Sequence, residues 1–169
     1  LIETQSGATQ CGRVSDDEGK WFGGDNSSPV WHYGLDEGYL GRNPHYAPPK
    51  VRHEISQAPG AAPVFPTSRT VTRFNEFHRA NRYTSACSPE IFREACHLNE
   101  DPRRFVYVCE PVHNLIGREA ITNYGLTFHS ERAVTEHDQE LIASTDNWFR
   151  PVMVRTGPDG ALWIADMYR

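Results

Sequence analysis

Two stretches near opposite ends of the chain carry the same short pattern, and this repeat constrains the fold more than any other feature. Residues 17–25 read DEGKWFGGD and residues 158–166 read PDGALWIAD. In each stretch an acidic residue and a glycine precede bulky residues, a small residue and an aspartate. A glycine that accepts a positive φ can join two short strands through a tight turn. Both stretches therefore predict β-hairpins.

The distance between the two turns indicates a repeated architecture. Gly19 and Gly160 lie 141 positions apart (160 − 19), which leaves room for several units of the roughly 40–50 residues typical of propeller blades. Further short strands are predicted at residues 30–33, 86–93, 104–110, 114–119, 126–131 and 150–155. The sequence thus predicts an all-β fold, a partial β-propeller of about three to four antiparallel four-stranded blades. Only residues 136–143 could form a helical turn or two.

Composition narrows the classes of protein and partner. The 169 residues suit one domain, and the start at Leu1 together with the patterned C-terminal stretch suggests a segment of a larger domain. Six of the twelve prolines fall in residues 43–66, which we interpret as an extended connection between blades. A formal charge of −5 does not favour nucleic acid as a partner, and no apolar run approaches the length of a membrane span.

The four cysteines form neither a CxxC pair nor a CxxCH haem signature. Cys87 and Cys109 each lie in a predicted strand, which makes them the best candidates for a disulfide and would imply an oxidising compartment. Two buried thiols are the alternative, because cysteine packs well as a small apolar side chain.

Several segments, in order, resemble a known bacterial family. They are residues 81–87 (NRYTSAC), 108–115 (VCEPVHNL), 144–151 (STDNWFRP) and 157–160 (GPDG), and residues 10–33 and 39–44 fit the same family. Together they resemble the "membrane-bound dehydrogenase" propeller domain of large secreted planctomycete-type proteins, the haem-binding protein family of those bacteria. That family is distantly similar to the glucose and sorbosone dehydrogenases that depend on pyrroloquinoline quinone (PQQ), which are six-bladed propellers.

The resemblance implies a function and a location. It implies the C-terminal part of a quinoprotein-type dehydrogenase propeller that oxidises sugars or related alcohols and passes electrons to a haem c domain or cytochrome. PQQ and calcium would be the cofactors, the calcium ligands and the haem would lie outside this segment, and the protein would be exported to the periplasm or cell envelope. The alternative is a non-catalytic propeller module that binds polysaccharide or partner domains, because propellers host many unrelated functions.

Six residues are candidates for the site. The resemblance places Arg150, with Trp148 beside it, at the quinone pocket, and a guanidinium suits the carboxylates of that cofactor. Arg82 and Asn81 form a polar pair that could face the propeller axis. His113 lies in a turn beside Glu110, and a neighbouring carboxylate can orient an imidazole for proton abstraction.

Arg150, Trp148 and His113 also have structural interpretations. Arg150 could pair with Asp146 or Asp166, Trp148 could pack in the core, and His113 could simply be a solvated turn residue. Trp163 is predicted to pack in the core because it lies inside a strand. Two further predictions concern the aspartates that end the repeated strands and the histidines. Asp25 and Asp166 are better explained as turn caps than as calcium ligands, and the eight scattered histidines predict no zinc or copper site.

Overall fold

The structure, a computed structural model, describes residues 9, 12–35, 37–56, 62–68, 82–92, 104–133 and 136–169. Within these residues the chain is all-β, with eleven strands and one short helix arranged in antiparallel sheets. In this part of the chain no helix is long and apolar enough to span a membrane.

The first sheet is a four-stranded antiparallel meander built from the N-terminal residues. Its strands, in spatial order, are β1 (Val14–Ser15), β2 (Trp21–Gly23), β3 (Trp31–Tyr33) and β4 (Arg52–Glu54). The helix α1 (Glu37–Leu40) lies between β3 and β4. Strand β4 falls inside the proline-rich connection, so this stretch contributes a strand as well as linking two sheets. It pairs with β3 in a register that sets Trp31 opposite Glu54 and Tyr33 opposite Arg52.

The second sheet is also an antiparallel meander, with longer strands. They are β5 (Cys87–Phe92), β6 (Arg104–Glu110), β7 (Leu115–Tyr124) and β8 (Thr127–Arg132), with β9 (Ile142–Ala143) also paired to β7. β8 pairs with residues 119–124 of β7, and β9 pairs with Leu115 and Ile116, so β9 continues the ladder beyond the end of β8. The helical turns predicted at residues 136–143 are therefore wrong at Ile142 and Ala143, which form a strand.

The third sheet is a hairpin of β10 (Pro151–Thr156) and β11 (Leu162–Asp166). Val154, Leu162 and Ile164 pack against the second sheet. Because successive strand residues point to opposite faces, Met153 and Trp163 lie on the outer face, and the Trp163 side chain is 56% exposed. The prediction that Trp163 packs in the core was wrong, since only one face of this hairpin is covered by the described residues.

The core consists of two clusters, one on each face of the second sheet. Along β6 the side chains alternate between them: Val106 and Val108 join the cluster shared with the first sheet. Tyr107 and Cys109 join the cluster shared with the hairpin. The three sheets therefore stack face to face in chain order, which agrees with the predicted partial propeller-like fold.

The predicted turns form where the glycines indicate them. Gly19 and Gly160 both have φ of 77°, between β1 and β2 and between β10 and β11. Gly125 has φ of 59° in the turn between β7 and β8. Asn114 takes φ of 59° at the end of the β6–β7 turn, a conformation that asparagine tolerates better than most residues.

Candidate ligand-binding site at the loop end

Three segments meet at one end of the second and third sheets, which we call the loop end. They are the segment before β5 (residues 82–86), the β6–β7 turn (residues 111–114) and the segment before β10 (residues 144–150). The Val112 N–H donates to Ser85 Oγ at 3.1 Å, and Arg150 Nη1 donates to the Pro111 carbonyl at 3.1 Å. Asn114 Nδ2 donates to the carbonyls of Asn147, at 3.1 Å, and of Phe149.

Glu110 lies at the centre of the loop end and holds the segment before β5. Its carboxylate accepts the N–H groups of Thr84 at 3.0 Å and Ser85 at 2.9 Å, and it also accepts the Ser85 hydroxyl. The Nδ1 atom of His113 lies 3.3 Å from Glu110 Oε1. The structure therefore brings together the two residues predicted as base and orienting carboxylate.

Both side chains of this pair are buried. Glu110 is 0% exposed and His113 is 3% exposed. A general base must reach the proton that it abstracts, and in this arrangement the imidazole faces the protein interior. The geometry supports a positioning role for Glu110 and His113, and their catalytic role stays a prediction.

The Arg150 side chain donates to a backbone carbonyl of the loop end, whereas the sequence suggested a quinone contact or a pair with Asp146 or Asp166. Its guanidinium donates to the Pro111 carbonyl, whereas Asp166 Oδ1 accepts its backbone N–H at 2.7 Å. Among the described residues its Nε is buried and has no hydrogen-bond partner. A buried donor without a partner costs about 1–3 kcal/mol, so this nitrogen is an unsatisfied group within the loop end.

Trp148 and Tyr168 form an exposed aromatic pair at the same end. Their side chains are 60% and 56% exposed, and their ring centroids lie 5.8 Å apart, edge to face. Asp146 fixes both residues: Oδ1 accepts the Trp148 N–H at 2.9 Å and Oδ2 accepts the Tyr168 hydroxyl at 3.1 Å. This hydrogen bond raises the pKa of Tyr168. Tyr168 also has a positive φ of 44°, held by a hydrogen bond from its N–H to Asp166 Oδ1.

The other residues singled out in the sequence have different placements. Arg82 begins the segment before β5, where it is exposed and its backbone bridges to Pro63. Asn81 lies outside the described residues. Asp25 caps a turn, because its Oδ1 accepts the N–H groups of Ser27 and Ser28.

Asp166 likewise accepts backbone N–H groups, as the turn-cap interpretation predicts. Among the described residues no group of three or more His, Cys, Asp or Glu side chains could hold a metal ion.

The cysteines predicted to pair face each other. Cys87 on β5 lies directly opposite Cys109 on β6, and both side chains are buried thiols in this structure. The Cys87 thiol donates to the Val152 carbonyl at 3.7 Å. The register brings the two residues together, and the disulfide itself stays a prediction.

The sequence analysis missed several residues that shape the loop end. Ser85, Asn114 and Ser68 connect its segments, and Ser68 Oγ donates to Asn114 Oδ1 at 2.7 Å. An asparagine at the end of a turn was the available signal, because its side chain often bonds to nearby backbone. Tyr168 carried no comparable signal, since its position depends on Asp146, which is distant in sequence.

The charges at the loop end do not fit a tricarboxylated quinone. The segments of the loop end carry the guanidinium groups of Arg82 and Arg150 together with the carboxylates of Asp146 and buried Glu110, and Asp166 accepts the Arg150 backbone N–H. Two cations beside three carboxylates leave no net positive charge to offset three carboxylates on the ligand. The described residues suit a neutral ligand that offers hydroxyl groups to acidic acceptors.

Comparison with known proteins gives one match. The family described as "Domain of unknown function (DUF7133)" matches residues 1–169. No curated protein and no solved structure matches the chain.

Proposed function

The chain belongs to the family described as Domain of unknown function (DUF7133), and we propose that its loop end binds a sugar or a related polyol. The observation that carries the proposal is the exposed Trp148–Tyr168 pair fixed by Asp146. Aromatic rings present a large apolar face with little conformational freedom to lose. Such a face suits the C–H surface of a sugar ring.

The polar groups around the aromatic pair complement the hydroxyls of such a ligand. The carboxylates of Asp146 and Asp166 are acceptors, and the half-buried guanidinium of Arg150 is a donor beside them. A neutral ligand avoids the repulsion that an anion would meet here. This function corresponds to a propeller module that binds polysaccharide, and equally to the substrate-binding part of a dehydrogenase.

The dehydrogenase is the second candidate, favoured by the His113–Glu110 contact at 3.3 Å and by the family resemblance. In that case the protein would be exported and would pass electrons to haem c in another domain or to a cytochrome. PQQ would then be held by parts of the protein other than the loop end, whose charges do not match it. The role of Trp148 and Arg150 would then be to orient the alcohol.

The binding proposal can be tested with tryptophan fluorescence. Glucose and cellohexaose are titrated into the protein and into Trp148→Ala and Trp163→Ala. Trp163 is a matched control because it is almost as exposed as Trp148 but lies on the outer face of the hairpin. We expect saturable binding that Trp148→Ala abolishes and Trp163→Ala retains. Equal loss in both variants, or no binding of either sugar, would contradict the proposal.

The dehydrogenase candidate needs a separate assay. PQQ and calcium are added to the full-length protein that contains this chain, and sugar-dependent reduction of a dye is measured. We expect Arg150→Ala to lower the activity without unfolding the protein. Sugar binding in the fluorescence experiment without any dye reduction would leave the binding module as the function.

A further inference from the structure

A second concave site lies between the segment that follows β4 and the second sheet, away from the loop end. It is a cavity of about 230 Å³, well above the roughly 10–15 Å³ that one water molecule requires. Its lining residues are Ser56, Ala62, Pro63, Glu119, Ser130, Glu131, Arg132 and His137. Ser56, Ala62, Glu119 and Ser130 are buried and form the floor, whereas His137 is exposed at the mouth.

The carboxylate of Glu119 is the distinctive group in this floor. It is 3% exposed, and its hydrogen-bond partners are two serine hydroxyls: Ser56 Oγ donates to Oε1 at 3.3 Å and Ser130 Oγ donates to Oε2. Buried carboxylates in proteins are usually paired with a cation. Glu119 forms no ion pair with any described residue.

The neighbouring guanidinium groups are committed to other carboxylates. Arg118 pairs with Glu136, and Arg132 pairs with Glu140 at 2.5 Å. Arg132 also donates from Nε to the Glu136 carbonyl at 3.0 Å. The cation that would match Glu119 is therefore not supplied by these arginines, although the cavity in front of the carboxylate has room for one.

Burial raises the pKa of Glu119, against the two serine hydrogen bonds and the attraction of Arg132, and Glu54 adds to the rise. Glu131, Arg132 and His137 face the same cavity. Without a ligand the carboxyl therefore retains its proton more readily than an exposed glutamic acid does. A cation that enters the cavity would favour the ionised form.

We propose that this cavity binds a small organic ammonium ion, whose charged head pairs with Glu119. An ammonium group carries three N–H donors around a compact charge, which matches a carboxylate flanked by the two serine oxygens. Ala62 and Pro63 line the cavity with apolar surface for a short alkyl chain. Among the described residues no metal-binding cluster exists, so an organic cation fits better than a metal ion.

Binding is linked to a proton. At any pH where the Glu119 carboxyl is protonated in the empty protein, it releases that proton to solvent as the ammonium enters with its charge, and the ammonium and carboxylate then pair. No covalent bond to the ligand forms or breaks. The site is independent of sugar binding at the loop end, so either proposal can fail without the other.

Calorimetric titration tests the inference with butylamine and 1,4-diaminobutane as probes and 1-butanol and 1,4-butanediol as neutral analogues. We expect the amines to bind and the alcohols to bind at least about tenfold more weakly, a difference of roughly 1.4 kcal/mol. In buffers of different ionisation enthalpy at one pH, the apparent heat should reveal proton release. Binding of the alcohols as tight as that of the amines, or no binding of either amine, would overturn the proposal.

Two variants locate the binding. Glu119→Gln removes the charge, and Ala62→Leu adds bulk to the cavity wall while Glu119 stays intact. Both should lose amine binding, and either one suffices if the other does not fold. The control is Glu18→Gln, since Glu18 lies in an exposed turn beside Lys20. Amine binding that survives both cavity variants, or that Glu18→Gln removes, would contradict the site.

Discussion

Gly19 and Gly160 occupy equivalent positions in two turns of the same hydrogen-bond pattern. The Gly19 N–H donates to the Asp16 carbonyl at 3.1 Å, and the Gly160 N–H donates to the Gly157 carbonyl at 3.0 Å. Asp16 and Gly157 also donate their own N–H groups to the carbonyl of the residue after the glycine, at 2.9 Å to Lys20 and 2.7 Å to Ala161. The repeated sequence pattern therefore encodes a repeated backbone conformation.

Gly19→Ala should destabilise the protein through backbone strain alone. A Cβ at Gly19 would meet no atom within 4 Å, but the φ of 77° disfavours a residue with a Cβ. We expect the free energy of unfolding to fall by about 1–2 kcal/mol, measured by urea denaturation. Gly34→Ala is the control, because its Cβ would make only ordinary contacts, from 3.6 Å outward. Equal effects of the two substitutions would contradict this explanation.

Gly117→Ala should destabilise the protein through a steric clash. A Cβ there would overlap the Tyr83 hydroxyl, which is buried and has no hydrogen-bond partner among the described residues. Overpacking costs about 1–3 kcal/mol. Tyr83→Phe should be nearly neutral, since it removes an unsatisfied group.

The double variant Gly117→Ala/Tyr83→Phe should recover part of the stability that Gly117→Ala loses. We expect a coupling of at least about 0.5 kcal/mol in a double-mutant cycle, and strict additivity would show that the hydroxyl is not the obstacle.

Glu140 should make the protein less stable as pH rises toward neutrality. Burial raises its pKa from 4.5 to about 7, against the attraction of Arg132 and a hydrogen bond from the Phe65 N–H. Between these pH values the folded protein holds a proton that the unfolded chain has lost. The stabilisation is complete below pH 4.5 and is lost as pH rises through about 7.

Glu140→Gln should reduce this decline, measured as unfolding free energies across that pH range, and Glu119, whose pKa is also raised by burial, should account for a remainder. Glu18→Gln should leave the decline in place. An unchanged slope in Glu140→Gln would contradict the assignment.

His32 should act in the opposite direction at lower pH. Burial lowers its pKa from 6.5 to about 4, with His53 and Lys20 contributing and Asp16 opposing. Between these values the unfolded chain binds a proton that the folded protein does not. The His32 contribution to stability should therefore be lost as pH drops from 6.5 toward 4, and above pH 4.5 the Glu140 contribution opposes it. Compared with the unsubstituted protein, His32→Phe should gain stability steadily as pH drops through this range, and a difference that does not change with pH would assign the loss to another group.

Cys87 and Cys109 should form a disulfide when the protein is prepared under oxidising conditions. They lie directly opposite each other on β5 and β6, and peptide mapping without reducing agent would identify the bridge. We expect Cys87→Ala to leave Cys109 as a thiol. A bridge from either residue to Cys11 or Cys96 would contradict the pairing.

The fold was predictable from sequence wherever local signals decide it. The glycine turns at Gly19 and Gly160, together with the short strand-like stretches between them, predicted most strands within a few residues. Strands β4 and β9 were not predictable, because two or three residues carry no periodicity and form a strand only by pairing with a distant partner. Ala143, for example, is a strand residue because Leu115 lies opposite it.

The candidate site was predictable in part. Glu110, His113, Trp148 and Arg150 do meet at one end of the sheets, as expected of residues that flank strand ends. The burial of His113 was not predictable, because it depends on segments far away in the sequence. Glu119 could have been noticed, since it and Arg118 are charged residues between apolar residues of one strand.

The β10–β11 hairpin leaves one edge and one face of the third sheet uncovered within the described residues. Within the described residues β11 has a single strand neighbour, and the outer face of the hairpin presents Met153 and Trp163 to solvent. A row of unsatisfied backbone groups beside apolar side chains is a template for another strand. Purified alone, this chain should therefore self-associate through its C-terminal hairpin. A second copy bound to the outer face of the hairpin would extend the stack of three sheets on that side.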